Sequence, residues 1–365
     1  MQDSALRQKN RRTPKKSQKN KALWTVVFIV IAVLTVWAVT AQNKDFSFTS
    51  FLHFLKNLKM PWLAAAFAAM IAYVLFEGMA LLTISKSFGY KRNVWQGIGY
   101  SAGDIYFSAI TPSASGGQPA SAYLMMRDKI PGSVTTVVLI ANLVMYTFAI
   151  IIIGILAFIL KPSMFLGFST FSKVLIIVGC VCQIFMAVLF ILLLKKGEWL
   201  HKMGSFLLRI LAKIKLVRNV ERKQERLGNY IKNYSRYSSQ LKGKNWVLAR
   251  ALGYNFLQRL SLIMVTVFCF LATGGGISSI ISVFAVQSMV VLGSNTVPIP
   301  GAMGVIDFLI LDGFSKMMTA SMATNLDLLS RTVSFYFCVI LCGITFLIQC
   351  FFWRKPKAVD TPTEN

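Results

Sequence analysis

Thr111-Pro112-Ser113-Ala114-Ser115-Gly116-Gly117-Gln118-Pro119 is a helix-breaking, hydroxyl-rich run set in sequence that is otherwise apolar enough to sit in a bilayer. A second such run, Ser294-Asn295-Thr296-Val297-Pro298-Ile299-Pro300-Gly301, lies in the other half of the chain. In hydrocarbon an unpaired backbone N–H or C=O is expensive, so irregular chain at membrane depth survives only where protein or a water-filled cavity surrounds it. One interrupted hydrophobic segment in each half of a membrane protein points to a transport site.

Outward from these runs, the chain is 55% hydrophobic, with 28 Phe, and only 14% charged. Several apolar stretches reach the roughly 18 residues that a membrane helix needs. The fold class is therefore all-α, a polytopic integral membrane protein. Full spans are expected at 22–41, 61–84, 133–160, 173–194, 246–272 and 330–353, six in all. Regions 95–126 and 277–318 are apolar but interrupted, each a re-entrant hairpin or a pair of half-helices. The first apolar run reads as an uncleaved helix, because no small-residue cleavage pattern ends it.

The formal charge is +26, from 39 Lys and Arg against 13 Asp and Glu. Its placement sets the orientation. Basic clusters precede the first span, follow the second (Lys86, Lys91, Arg92), follow the first broken region (Arg127, Lys129) and fill the tail (Arg354, Lys355, Lys357). Segment 195–245 alone carries fourteen Lys or Arg against three Glu. All fall on one side if 95–126 returns to the side it left, and the positive-inside rule makes that side cytoplasmic, with both termini there. The expected divisions are a basic arm (1–21), a first membrane half (22–194), a basic amphipathic linker (195–245), a second membrane half (246–353) and a tail (354–365). The two broken regions then enter from opposite sides, the arrangement of an inverted repeat. Two amphipathic stretches, 199–217 and 48–58, read as interfacial helices.

An acidic group inside the membrane needs a reason to be there. Glu77, Asp104 and Asp307 are candidates for a cation or proton site, while Asp312 is read as paired with Lys316 one turn away. In the first loop, Thr111, Ser113, Ser115, Gly116, Gly117 and Gln118 offer hydroxyls, an amide and backbone N–H groups to a phosphate, with Arg127 close behind in sequence. Asn295, Pro298, Pro300 and Gly301 form the matching second loop. The other reading of each is a turn satisfying its own backbone. Asn142, Asn255, Gln258 and Arg259 read as interhelical hydrogen-bonding groups, or as the lining of a polar pathway. The six Cys all lie in apolar segments and His53 and His201 are the only histidines, so no metal, disulfide framework or cofactor is expected. No P-loop is present and His is too scarce for a His-based site, so no catalytic residue is assigned.

The run Thr111–Ala120, continuing through Ala122-Tyr123-Leu124 to Arg127 and Ile130-Pro131, closely resembles the signature of the lysylphosphatidylglycerol synthase transmembrane family. That family includes the membrane half of the bacterial multiple peptide resistance factor. Pro298-Ile299-Pro300-Gly301-Ala302-Met303-Gly304-Val305-Ile306-Asp307 is similar to its second motif, with Ala302 in place of a glycine and Asp307 in place of a Glu. The resemblance implies a flippase-like domain in a bacterial cell membrane that moves phospholipid, including lysyl-phosphatidylglycerol, between leaflets. Its partners would be anionic phospholipid and the membrane itself; homo-oligomerisation stays open and nucleic acid is not expected. Two alternatives remain. One is a lysyl-tRNA-dependent phosphatidylglycerol lysyltransferase, completed by a separate catalytic partner because residues 354–365 are too few for the family's synthase domain. The other is a secondary transporter of a small solute.

Overall fold

Pro61 stands in the first turn of helix α1 (Met60–Lys86), where a missing N–H leaves no helical bond unmade. The chain is a computed structural model that describes residues 58–111, 115–195, 220–295, 297, 299–302 and 304–351. After α1, the Asn93 side chain accepts from the Gln96 N–H at 2.8 Å and the Gln96 side chain accepts from the Asn93 N–H at 3.1 Å. This reciprocal cap starts α2 (Val94–Ile110). The first interrupted run separates α2 from α3 (Gly117–Arg127). Then follow α4 (Gly132–Leu160), the short α5 (Pro162–Gly167), α6 (Thr170–Lys195), α7 (Val220–Gln240) and α8 (Asn245–Ala272). A 3-10 turn (Ile277–Ser279) leads into α9 (Ile280–Ser294). A second 3-10 turn (Pro300–Ala302) precedes α10 (Val305–Phe314). The chain continues through α11 (Ala320–Arg331), a π-helical segment (Thr332–Phe337) and α12 (Cys338–Phe351).

Among the described residues, six helical segments are long and apolar enough to cross a bilayer: Met60–Lys86, Gly132–Leu160, Thr170–Lys195, Asn245–Ala272, Ile277–Ser294 and Ala320–Phe351. Their outer faces are apolar, as lipid contact requires. On α6, Phe171, Val181 and Phe185 are each at least 61% exposed. The expected span 22–41 and the stretch 199–217 lie outside the described residues, as does most of 48–58. One expected boundary moves. The last span begins at Ala320 and not near 330, because its first turns carry Asp327 and Arg331, which depress hydropathy yet are buried by neighbouring helices.

The core pair is α1 with α8, antiparallel. Lys59 N–H bonds the Ala272 carbonyl at 2.9 Å at one end, and Lys244 Nζ bonds the Ser87 carbonyl at 2.6 Å at the other. Small residues permit the next contact, where Gly78 of α1 lies against the Gly97 carbonyl of α2. Asn255 of α8 donates to Asn142 of α4 at 2.9 Å, the interhelical bond expected of those residues.

The two broken regions are hairpins that enter from opposite ends of the bundle. In the first, Asp128 just past α3 accepts from Gln96 (2.8 Å) and Tyr100 (2.7 Å) near the start of α2, so the hairpin closes at the end that carries Ser87 and Lys244. In the second, Asp312 near the end of α10 accepts from the Ser169 N–H at 2.8 Å, just ahead of α6 and at the other end. Asp312 thus caps the start of α6, and the pairing expected with Lys316 is replaced by this bond, because the free N–H groups of a helix start attract a carboxylate. Helix α7 packs on α4 through Tyr230, whose hydroxyl donates to the Gly132 carbonyl at 2.7 Å, and on α6 through Tyr234, bonded to the Leu193 carbonyl.

Candidate functional site: a buried charged node between two hairpins

At mid-height of α1, α4 and α8 the bundle encloses charged and polar side chains that bilayer insertion strongly disfavours unless they are satisfied. Glu77 of α1 accepts from Gln258 Nε2 of α8 at 2.8 Å and from Ser101 Oγ of α2 at 3.3 Å. Asp104, one turn deeper on α2, meets Glu77 carboxyl to carboxyl. Its other contacts are Gln118 Nε2 at 2.7 Å and Ser108 Oγ at 3.2 Å. Arg259 of α8 supplies the opposing charge. Its guanidinium carbon lies 4.1 Å from the Tyr146 ring centre and 5.3 Å from that of Tyr73, a cation held between two aromatic faces. One guanidinium nitrogen donates to the Tyr73 hydroxyl at 3.2 Å, while the buried Nε has no partner. Glu77, Asp104, Gln258 and Arg259 are all under 8% exposed. Counted as ionised, two carboxylates face one guanidinium, so the node is one positive charge short. It suits a proton or a cationic group.

The first loop reaches the node through Gly117 and Gln118. A Cβ on Gly117 would fall on the Asp104 carboxylate and the Ser108 hydroxyl, so glycine is what lets the start of α3 approach Asp104. A carboxylate therefore already occupies the N-terminal end of α3, the position where a phosphate was expected. Thr111 Oγ1 donates to the Phe107 carbonyl at 2.5 Å and accepts from the Gly116 N–H at 2.9 Å, shaping the turn. Ser115 lies in that turn, and Ser113 is outside the described residues.

Arg127 is not brought to this loop. It ends α3, which at 1.5 Å per residue puts it roughly 15 Å from Gly117. Its Nη1 donates to the Gln349 carbonyl at the end of α12 (2.6 Å), and its Nε lies 3.8 Å from Asp128. The sequence separation between Arg127 and Gln349 hides this contact.

The second loop carries its own charged group. Gly301 has φ 59°, in the left-handed region where glycine is unstrained, and the loop turns there. Asp307 Oδ2 accepts from the Gly304 N–H at 2.7 Å, and Asp307 Oδ1 pairs with Arg331 Nε at 2.6 Å. Arg331 Nη1 donates to the Gly301 carbonyl at 3.2 Å. Asp327 of α11 adjoins Asp307. Asn295 accepts from the Tyr146 hydroxyl at 2.9 Å, which links the second loop to the Arg259 node. Pro298 and the side chain of Pro300 lie outside the described residues.

Sequence reasoning thus found Glu77, Asp104, Gln118 and Asp307, and it named Arg259 and Gln258 only as pathway or packing groups. It missed Tyr73, Tyr146, Asp327 and Arg331. A signal existed for the last two, an acid and an arginine four residues apart at the head of an apolar run.

A model of the family described as lysylphosphatidylglycerol synthase TM region matches residues 24–342 of the chain. Comparison with curated proteins and with solved structures gave no match.

Proposed function

The chain belongs to the lysylphosphatidylglycerol synthase TM region family, and from that premise we propose that it moves phospholipid with a cationic headgroup between leaflets. The observation that carries this reading is the Glu77–Asp104–Arg259 node, buried at mid-height, where two carboxyl groups in contact stand against one guanidinium and need one further positive charge, a proton or an ammonium, beside them. A headgroup ammonium would supply that charge, with Gln118 and Gln258 orienting the two carboxylates. The hairpins enter from opposite ends, so each could release its loop toward one leaflet while the other stays closed. Arg127 would hold the closed form at the basic end, through the Gln349 carbonyl. We place that end in the cytoplasm of a bacterial cell, with 22–194 and 246–353 as halves joined by the basic linker 195–245. Basic residues there would gather anionic lipid.

The test is a leaflet-resolved assay in proteoliposomes. Lysyl-phosphatidylglycerol placed in one leaflet is expected to reach the other faster with the protein than without it. No acceleration, together with uptake of a small cationic solute, would replace this reading by the solute-transporter one. Lysyl-lipid produced from phosphatidylglycerol and lysyl-tRNA by the purified chain would replace it by the transferase one.

A further inference from the structure

The Asp307–Arg331 pair behind the second loop has a buried neighbour that the headgroup reading leaves unused. Asp327 of α11 is 7% exposed, meets Asp307 carboxyl to carboxyl, and its Oδ1 has no hydrogen-bond partner. Arg331, one turn further along α11, is 9% exposed. Its Nε bonds Asp307 Oδ1 at 2.6 Å and its Nη1 bonds the Gly301 carbonyl at 3.2 Å, while its buried Nη2 has no partner. Asp307 Oδ2 also accepts from the Gly304 N–H at 2.7 Å. Both donors thus serve Asp307, and Asp327 receives neither. Tyr336 of the π-helical segment is the other titratable group near the pair. Of the remaining charged groups on the helices packed against α11, Arg259 of α8 is held by Tyr73 and Tyr146, and Asp312 of α10 by the Ser169 N–H.

Two carboxylates in contact do not both ionise against one guanidinium away from water. The charge that completes this pair is a proton. Carboxyl groups already touching leave no space for an ammonium, and a metal ion would lie against the guanidinium. The neighbouring cavity of about 60 Å³ holds about two water molecules and no headgroup. A proton on Asp327, donated to Asp307, gives both acids a partner.

We propose that Asp327 and Asp307 share one exchangeable proton, and that this proton governs the second loop through Arg331. With the proton in place, Asp327 is neutral and Arg331 stays on Asp307 and the Gly301 carbonyl, where the loop turns. Asp307, whose side chain is 32% exposed, is the way out for the proton. Once it leaves to water, Asp327 is a carboxylate one helical turn from Arg331 and competes for the guanidinium. The cavity gives the guanidinium room to turn, and on its wall the buried Gln287 Oε1 is an acceptor without a partner. Arg331 then lets go of the Gly301 carbonyl and the second loop is freed. The inference rests on the lipid reading above only for what that release accomplishes.

The experiment reads the proton and the transport separately. Infrared spectra of the full chain in detergent micelles near neutral pH compare wild type, Asp327→Asn and Asp307→Asn, with thermal unfolding checking that the variants fold. The wild type is expected to show a carboxylic-acid C=O band that both variants lose. Asp327→Asn removes the acid, and Asp307→Asn leaves Asp327 facing Arg331 alone. Absence of the band from the wild type, or its retention in either folded variant, would overturn the shared proton. In proteoliposomes, movement of lysyl-phosphatidylglycerol is expected to fall roughly tenfold or more in Asp327→Asn, whose neutral side chain leaves Arg331 on the Gly301 carbonyl. Wild-type movement in that folded variant would overturn the control of the loop. The expected bands without lipid movement by the wild type would overturn the transport reading and leave the proton site standing.

Discussion

Asp104→Asn separates the charge of the buried node from its shape. The Asn side chain is isosteric and keeps one oxygen, so it can still accept from Gln118 Nε2, which lies 2.7 Å from Asp104 Oδ2. The other oxygen becomes an N–H₂ group. It loses the contact with Ser108 Oγ at 3.2 Å but can donate to the Glu77 carboxylate that it already adjoins. The fold is expected to survive. Electrostatically, the node changes from two carboxylates against Arg259 to one, and the missing positive charge disappears. A hydrogen bond to a charged group contributes about 1.5–3 kcal/mol, and about 1.4 kcal/mol is tenfold in affinity, so binding of a cationic headgroup should weaken roughly 10- to 100-fold. The assay compares lysyl-phosphatidylglycerol with phosphatidylglycerol in proteoliposomes containing wild type or variant, the first scored by an amine reagent and the second by periodate cleavage of its glycerol diol, each reagent confined to one leaflet. Movement of the lysyl-lipid should fall more than that of the uncharged-glycerol lipid. A folded variant that moves lysyl-lipid at the wild-type rate would refute the assignment of Asp104.

Gly117→Ala places a methyl group on the Asp104 carboxylate and the Ser108 hydroxyl, so the start of α3 must withdraw. Because the added methyl also meets the Asp104 backbone carbonyl, lipid movement is expected to be lost and the unfolding temperature to fall, and normal movement would show that the close approach is dispensable. Asn255→Leu removes the 2.9 Å bond between α8 and α4 and should cost about 0.6–1.7 kcal/mol, read by denaturant titration in detergent. Arg127→Met keeps volume but frees the Gln349 carbonyl. It should lower the unfolding temperature while leaving short-chain phosphatidylglycerol affinity unchanged, whereas a loss of affinity would return Arg127 to the headgroup site. Asp312→Ala removes the carboxylate bonded to the Ser169 N–H and should cost about 1 kcal/mol of stability, with lipid movement retained.

How far the sequence could be read depends on the range of the interaction concerned. Hydropathy acts along a single helix, so the apolar runs that became α1, α4, α6 and α8 announced themselves, and the helix-breaking runs marked both hairpins. The reversal of the hairpins followed from basic residues, because the membrane sorts charge by side. Glu77, Asp104 and Asp307 stood out for the same reason, as acids that lipid alone would not accept. What each acid does was decided by neighbours far away in the chain. The first loop is the clearest case: residue types read as a phosphate cradle, yet folding brings Asp104 to the N-terminal end of α3 and favours positive charge there. Arg127 stands ten residues from Gly117, but the rise of a helix carries it to the opposite end, against Gln349. Arg331 drew no reading in the sequence, and its role follows from Asp307 of α10, which folding brings to 2.6 Å from its Nε. Local composition therefore determined the spans, their reversal and the presence of a polar centre. Which charged groups meet at that centre came only from tertiary packing, since buried electrostatics depends on which charges lie within a few ångströms and chain order does not encode that.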